Sequence, residues 1–131
     1  MVEDSKADLF LIRQAIAAAE VNAAVSVVHD GHQAVEFIDK AWAGEGACCP
    51  DLVLLDLNIP KKDGLQVLSH MRSSAACGNA LVVIVSSSDS LNDRDAAKAL
   101  GFSGYFRKPS VYAEFMKLGV VIRDLLTGAE L

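Results

Sequence analysis

Acidic, hydroxyl and amine side chains stand where short apolar runs of this chain end. Glu3 and Asp4 follow Met1 and Val2, Asp56 follows Leu52-Val53-Leu54-Leu55, Ser86 follows Leu81-Val82-Val83-Ile84-Val85, and Lys108 follows Tyr105-Phe106-Arg107. Three carboxylates brought to one place repel unless a cation joins them. Oxygen ligands of this hardness favour Mg²⁺, which keeps several waters and completes its shell with a phosphate oxygen. A hydroxyl at Ser86 and an ammonium at Lys108 suit the other oxygens of that phosphate. The chemistry implied is the handling of a phosphoryl group, with Asp56 as nucleophile or metal ligand.

For these side chains to meet, the runs before them must lie side by side and point the same way. The apolar run at 52–55 reads as a strand buried on both faces, the pattern of a parallel sheet. Asp56 then stands at its carboxyl end, where open α/β sheets place their ligands. Pro60 and Asp63-Gly64 close the strand and turn the chain into a helix. Residues 24–28, ended by Asp30-Gly31, residues 81–85 and residues 105–107 read as further strands. Ser5 is the expected N-cap of a helix with Asp8 at N3, and Leu9, Ile12, Ile16 and Ala19 share one face. Further helices are expected over about 33–42, 64–72 and 111–126, and from a Ser90 cap with Asp93 at N3 to Leu100, where Gly101 stops the last of these. Strands alternating with helices, with no repeat or linker between them, predict one doubly wound α/β domain over residues 1–131.

Composition narrows the function. With 52% hydrophobic and 22% charged residues the chain is globular. Seventeen acidic residues against twelve basic ones, for a formal charge of −5, argue against a nucleic-acid surface, which needs clustered Lys and Arg. No apolar stretch is long enough to span a membrane, and the acidic start lacks a signal peptide's apolar core. The expected location is the cytoplasm. Cys48 and Cys49 are adjacent and cannot form a C-x-x-C site; with Cys77 they make an odd number, so reduced thiols are expected. His29, His32 and His70 lack the spacing of a helical zinc pair and read as turn and surface residues.

The acidic pair Glu3-Asp4, the D-x-x-x-P-x-x-x-G run from Asp56 to Gly64, Ser86 after its strand and Lys108-Pro109 together resemble the receiver domain of two-component response regulators. Residues 58–64 and the loop before Asp51 resemble, within that family, the single-domain regulators that accompany phytochrome-type kinases. The resemblance implies a CheY-like, flavodoxin-like (βα)5 fold with a five-stranded parallel sheet in the order 2-1-3-4-5 and no output domain. It implies Asp56 as phosphoacceptor from a sensor histidine kinase. It implies Mg²⁺ bound by Asp4 and Asp56, by Glu3 through water and by the Asn58 backbone carbonyl. Lys108 would pair with phosphoryl oxygens, Ser86 would move to bond one of them, Tyr105 would follow Ser86 as a switch, and a cis bond would precede Pro109. Output would pass to a downstream protein or phosphotransfer domain, or through a homodimer formed by the fourth helix, last strand and fifth helix, with slow self-dephosphorylation and no enzymatic turnover.

One departure stands out. Only Met1 and Val2 precede Glu3, so either the sequence has lost its native start or the domain tolerates a local gap; a central strand this short is expected to leave ladder groups unpaired and to weaken both stability and Mg²⁺ affinity. Two other classes fit less well. A small Mg²⁺-dependent phosphohydrolase would want an acid two residues after Asp56, where Asn58 stands. A flavodoxin-like binding module would want a phosphate-cradling loop after the first strand, where Glu3-Asp4 would repel a phosphate without a metal; a phosphorylation-independent binding module is the reading left if the site takes up no phosphoryl group.

Overall fold

The computed structural model describes residues 1–43, 49–59, 61, 63–74, 77–87 and 90–128. Cys48, Pro60 and Lys62, with most of the loop before Asp51, lie outside the described residues. The elements run α1 (Lys6–Ala18), α2 (Gly31–Ala43), β1 (Leu52–Leu55), α3 (Gly64–Ser73), β2 (Leu81–Ser86), α4 (Leu91–Leu100), β3 (Gly104–Arg107), α5 (Tyr112–Phe115) and α6 (Lys117–Thr127). The strands form a parallel sheet in the order β1-β2-β3, with Leu55 beside Ile84 and Ile84 beside Tyr105.

Alternation along the strands sorts side chains into two cores. Leu55, Val82 and Ile84 face Ala34, Ile38, Leu68, Met71 and Ala97 of α2, α3 and α4. Leu54, Val83 and Val85 face Ile12, Ala15, Phe115, Leu118 and Ile122 of α1, α5 and α6. Burying each large aliphatic side chain contributes about 1.5–3 kcal/mol. The helix starts follow their caps. The Asp8 amide donates to Ser5 Oγ at 3.2 Å and the Asp93 amide to Ser90 Oγ at 3.3 Å, while Asp63 and Gln66 form a reciprocal capping box.

Of the five strands expected, the described residues hold three. Val2 makes isolated parallel bridges to Val28 on one side and Leu55 on the other. Residues 21–27 run without strand pairing, because a strand's backbone groups need a paired neighbour along its length, and only Met1 to Glu3 reach that edge. The expected last helix is also divided at Met116, giving α5 and α6. In α6 the α1 backbone comes so close that a Cβ on Gly119 would run into the Ala15 carbonyl.

Two further expectations change. The Lys108–Pro109 bond is trans, as are all peptide bonds among the described residues. Trans is the ordinary preference even before proline, by about 0.5–1 kcal/mol, and with it the Lys108 amide still bonds the Ser86 carbonyl at 2.9 Å. Cys49 and Cys77 are not free thiols; they form a disulfide, with Cα atoms 5.4 Å apart. Leu52 and Leu81 are register partners, so the segments that enter these adjacent strands begin side by side and bring the two cysteines together.

Candidate functional site

Parallel register carries the residues after β1, β2 and β3 to one end of the sheet. The rung at Val2 adds the chain's start, since the Val2 amide bonds the Leu54 carbonyl at 2.8 Å and the Asp56 amide bonds the Val2 carbonyl at 3.1 Å. Glu3 therefore sits beside Asp56, and both are buried. The loop that follows Asp56 lies tight against α3. A Cβ on Gly64 would stand 2.5 Å from the Asp56 carbonyl oxygen, so only glycine lets the helix begin there.

Lys108 is the centre of the site. Its Nζ donates to Glu3 Oε1 at 2.6 Å, to Asp8 Oδ2 at 2.7 Å and to Asp56 Oδ2 at 2.7 Å. All three ammonium donors are thus used on carboxylates. The Glu3 Oε2 atom accepts from the Asp4 and Ser5 amides at 3.1 and 3.2 Å. Asp56 Oδ1 accepts from the Asn58 amide at 2.9 Å, and Asn58 Nδ2 lies 3.5 Å from Ser86 Oγ. Ser86 is fully buried, whereas Asn58 is exposed.

The structure thus brings together Glu3, Asp4, Asp56, Asn58, Ser86 and Lys108. Tyr105 lies outside this cluster. Its half-buried ring packs against Phe102, with centroids 5.8 Å apart, and beneath the Arg94 guanidinium at 5.0 Å. Asp8 was missed as a site residue. Its N3 position explains it fully as part of a helix start, and only its i+4 spacing from Asp4 hints at a second task. In the fold its amide serves the cap while its carboxylate turns to Lys108.

Glu3, Asp4 and Asp56 each offer a carboxylate oxygen, all within 4.8 Å of one another. One ammonium among the carboxylates of Glu3, Asp4, Asp8 and Asp56 leaves an excess of negative charge, which fits a divalent cation. The exposure of Asp4 suits an ion that keeps part of its water shell. Electrostatics agree. Burial tends to lower the Lys108 pKa, but its bonds to Asp56, Asp8 and Glu3 win and hold it above the ordinary value. Burial pushes Glu3 up to about 7, with Asp56 repulsion adding and Lys108 opposing.

The Glu3 shift carries a pH dependence. Between the ordinary value of 4.5 and about 7, folded Glu3 keeps a proton that the unfolded chain has released, so stability falls as pH rises through that window. The Met1 amine, drawn down to about 6 by burial and by Arg13, acts with the opposite sign from about pH 6 to 8. The comparison that isolates Glu3 is therefore Glu3→Gln against the parent, by denaturant unfolding in EDTA across this range. Glu3→Gln is expected to gain on the parent steadily as pH rises from 4.5 to 7. A constant difference would show that Glu3 does not titrate there.

The chain matches the family model described as "Response regulator receiver domain" over residues 1–118. It is 30% identical over 118 residues to the response regulator Rcp1 of Synechocystis sp., covering 90% of this chain and 80% of that protein. Among solved structures, the phosphorylated cyanobacterial phytochrome response regulator RcpA superposes with a TM-score of 0.87 at 32% identity, covering 99% of this chain and 93% of that one. The Mn²⁺-bound form of Rcp1 superposes with a TM-score of 0.83 at 30% identity, covering 94% and 88%.

Proposed function

The chain belongs to the response regulator receiver family of two-component signalling, and on that premise we propose that it is a Mg²⁺-dependent phosphoacceptor switch with Asp56 as the phosphorylated residue. The observation that carries the reading is the Lys108 ammonium held among Glu3, Asp8 and Asp56 at 2.6–2.7 Å. A carboxylate oxygen of Asp56 attacks the phosphorus of a phosphohistidine on a sensor kinase. The P–O bond forms as the P–N bond breaks, and the imidazole leaves with the electron pair. Lys108, already on Asp56 Oδ2, shifts onto a phosphoryl oxygen and offsets its charge. Asp4, Asp56, the Asn58 carbonyl and, through water, Glu3 would hold Mg²⁺, which would neutralise charge on the transferring group.

Phosphorylation adds about −1.5 to −2 charges. That new partner draws the Ser86 hydroxyl away from Asn58 and draws Tyr105 inward, away from Arg94. A swing from 1:99 to 99:1 between two loop states takes about 5.5 kcal/mol of differential contact, within reach of two or three charge-assisted bonds at about 1.5–3 kcal/mol each. The likeness to phytochrome response regulators supports a phytochrome-type histidine kinase as donor. Output then passes by protein contact at the face of α4, β3 and α6, to a downstream protein, a phosphotransfer domain or a second copy. Leu91, the first residue of α4, is exposed. The protein acts as a signalling element with slow self-dephosphorylation rather than as a turnover enzyme. No helix among the described residues is long and apolar enough to cross a membrane.

The test is intact mass after incubation with acetyl phosphate and Mg²⁺. One phosphoryl group is expected on the parent, none in EDTA and none on Asp56→Asn. An adduct of equal yield on Asp56→Asn would overturn Asp56 as the acceptor.

A further inference from the structure

An ammonium group has three donors and no acceptor, so what Lys108 gives to one partner it withholds from another. Its three partners are not equivalent. Glu3 and Asp56 are 3% and 7% exposed at the side chain, whereas Asp8 is 26% exposed. Glu3 is also fixed at its far oxygen, where Oε2 accepts from the Asp4 and Ser5 amides at 3.1 and 3.2 Å. Its Oε1 is therefore a fixed point for the Lys108 ammonium, at 2.6 Å. The Lys108 backbone is tied separately, through its amide, to the Ser86 carbonyl at 2.9 Å. These two ties place Lys108 without help from Asp8.

What Asp8 adds is charge. Its amide donates to Ser5 Oγ at 3.2 Å, and that capping bond uses the backbone, so the start of α1 does not require the carboxylate. The group of Glu3, Asp4 and Asp56 whose oxygens could hold a cation does not include Asp8. Instead its Oδ2 accepts from Lys108 Nζ at 2.7 Å. With all four carboxylates ionised and Lys108 charged, the site carries three negative charges, and a divalent cation leaves one. That remaining charge is the one Asp8 brings. It attracts the cation but repels a phosphoryl donor, which is itself an anion. Asp8 also occupies an ammonium donor that is then withheld from a phosphoryl oxygen.

We propose that Asp8 is a positioning residue that acts through Lys108 as a brake on phosphoryl uptake: its carboxylate holds one ammonium donor and strengthens cation binding while opposing the arrival of the phosphoryl group. The inference rests on the phosphoacceptor reading and names a control on that same site. A phosphoryl group brings about −1.5 to −2 charges within reach of the ammonium. Of the three carboxylates that share Lys108, Asp8 is the one that water can resolvate at least cost, so it is the partner that yields.

The test uses Asp8→Asn in the full chain. Asparagine keeps the capping amide and offers Lys108 a neutral acceptor, so the substitution isolates the charge. Asp124→Asn, an equal change of net charge on α6, is the control and is expected to behave as the parent. Mg²⁺ affinity is read by titration calorimetry without phosphate. The rate of phosphoryl uptake from acetyl phosphate at saturating Mg²⁺ is read by intact mass. Asp8→Asn is expected to weaken Mg²⁺ binding and to speed uptake, each by about three- to tenfold, the size of one unit charge near a hydrated surface. A merely structural role would lower both together. The proposal stands only if the two move in these opposite senses and Asp124→Asn does not reproduce them; any other pattern on a parent that takes up phosphate would overturn it alone. A parent that binds Mg²⁺ but takes up no phosphoryl group would overturn the phosphoacceptor reading, and this inference with it.

Discussion

Replacing Lys108 with methionine is expected to destabilise the metal-free protein by about 3–5 kcal/mol at pH 7, the usual cost of removing one partner from a buried ion pair. The side chain is only 10% exposed and its three bonds go to carboxylates, of which Glu3 and Asp56 are themselves 3% and 7% exposed at the side chain. Methionine keeps the length and apolar stem but leaves these carboxylates facing one another. Protonation relieves part of the repulsion, and Glu3, already pushed up to about 7, takes the proton first. The loss should therefore shrink as pH falls from 7 toward 5. Mg²⁺ should recover stability more in Lys108→Met than in the parent, because the cation replaces charge that only the mutant lacks. Urea unfolding with EDTA and with Mg²⁺, at pH 5 and pH 7, reads all of this. A Lys108→Met protein as stable as the parent in EDTA at pH 7 would mean that the ammonium does not hold the cluster together.

The site was legible because its chemistry sits at boundaries that periodicity marks. Asp56 and Ser86 come directly at the ends of the two most apolar runs, and Lys108 ends a third; parallel register does the rest. Asp8 was hidden by a sufficient local explanation, since an acidic N3 residue already has a task in a helix start. Residues 24–28 show the opposite failure. Their β-branched pattern is real, yet a strand exists only with a partner along its length, and here only Val28 forms a bridge. The break at Met116 left no sequence signal, because the apolar stripe of Phe115, Leu118 and Ile122 runs through it unbroken. Local pattern reported what each segment prefers; pairing and the crowding of α6 on α1 decided where those preferences were realised.

The disulfide was illegible for a different reason: an odd count of cysteines says nothing about which two strand starts lie together. Its expected effect is large and confined to stability. The bond closes a loop of sequence separation 28, for which chain entropy alone gives about 3–4 kcal/mol. Cys49 and Cys77 precede β1 and β2, whereas Asp56 follows β1 and Ser86 ends β2, so the bond and the site occupy opposite ends of the sheet. Reduction with dithiothreitol, or Cys77→Ala, is expected to lower the urea midpoint by an amount corresponding to about 3 kcal/mol. The yield of phosphorylation by acetyl phosphate should stay within about twofold at temperatures where the reduced protein remains folded. Thiol titration of the denatured, unreduced protein supplies the direct check. One reactive thiol is expected from the three cysteines of the chain, and three would show that the bond does not form. Equal urea midpoints before and after reduction would show that it forms without constraining the fold, as happens when the unfolded chain already keeps those two segments close.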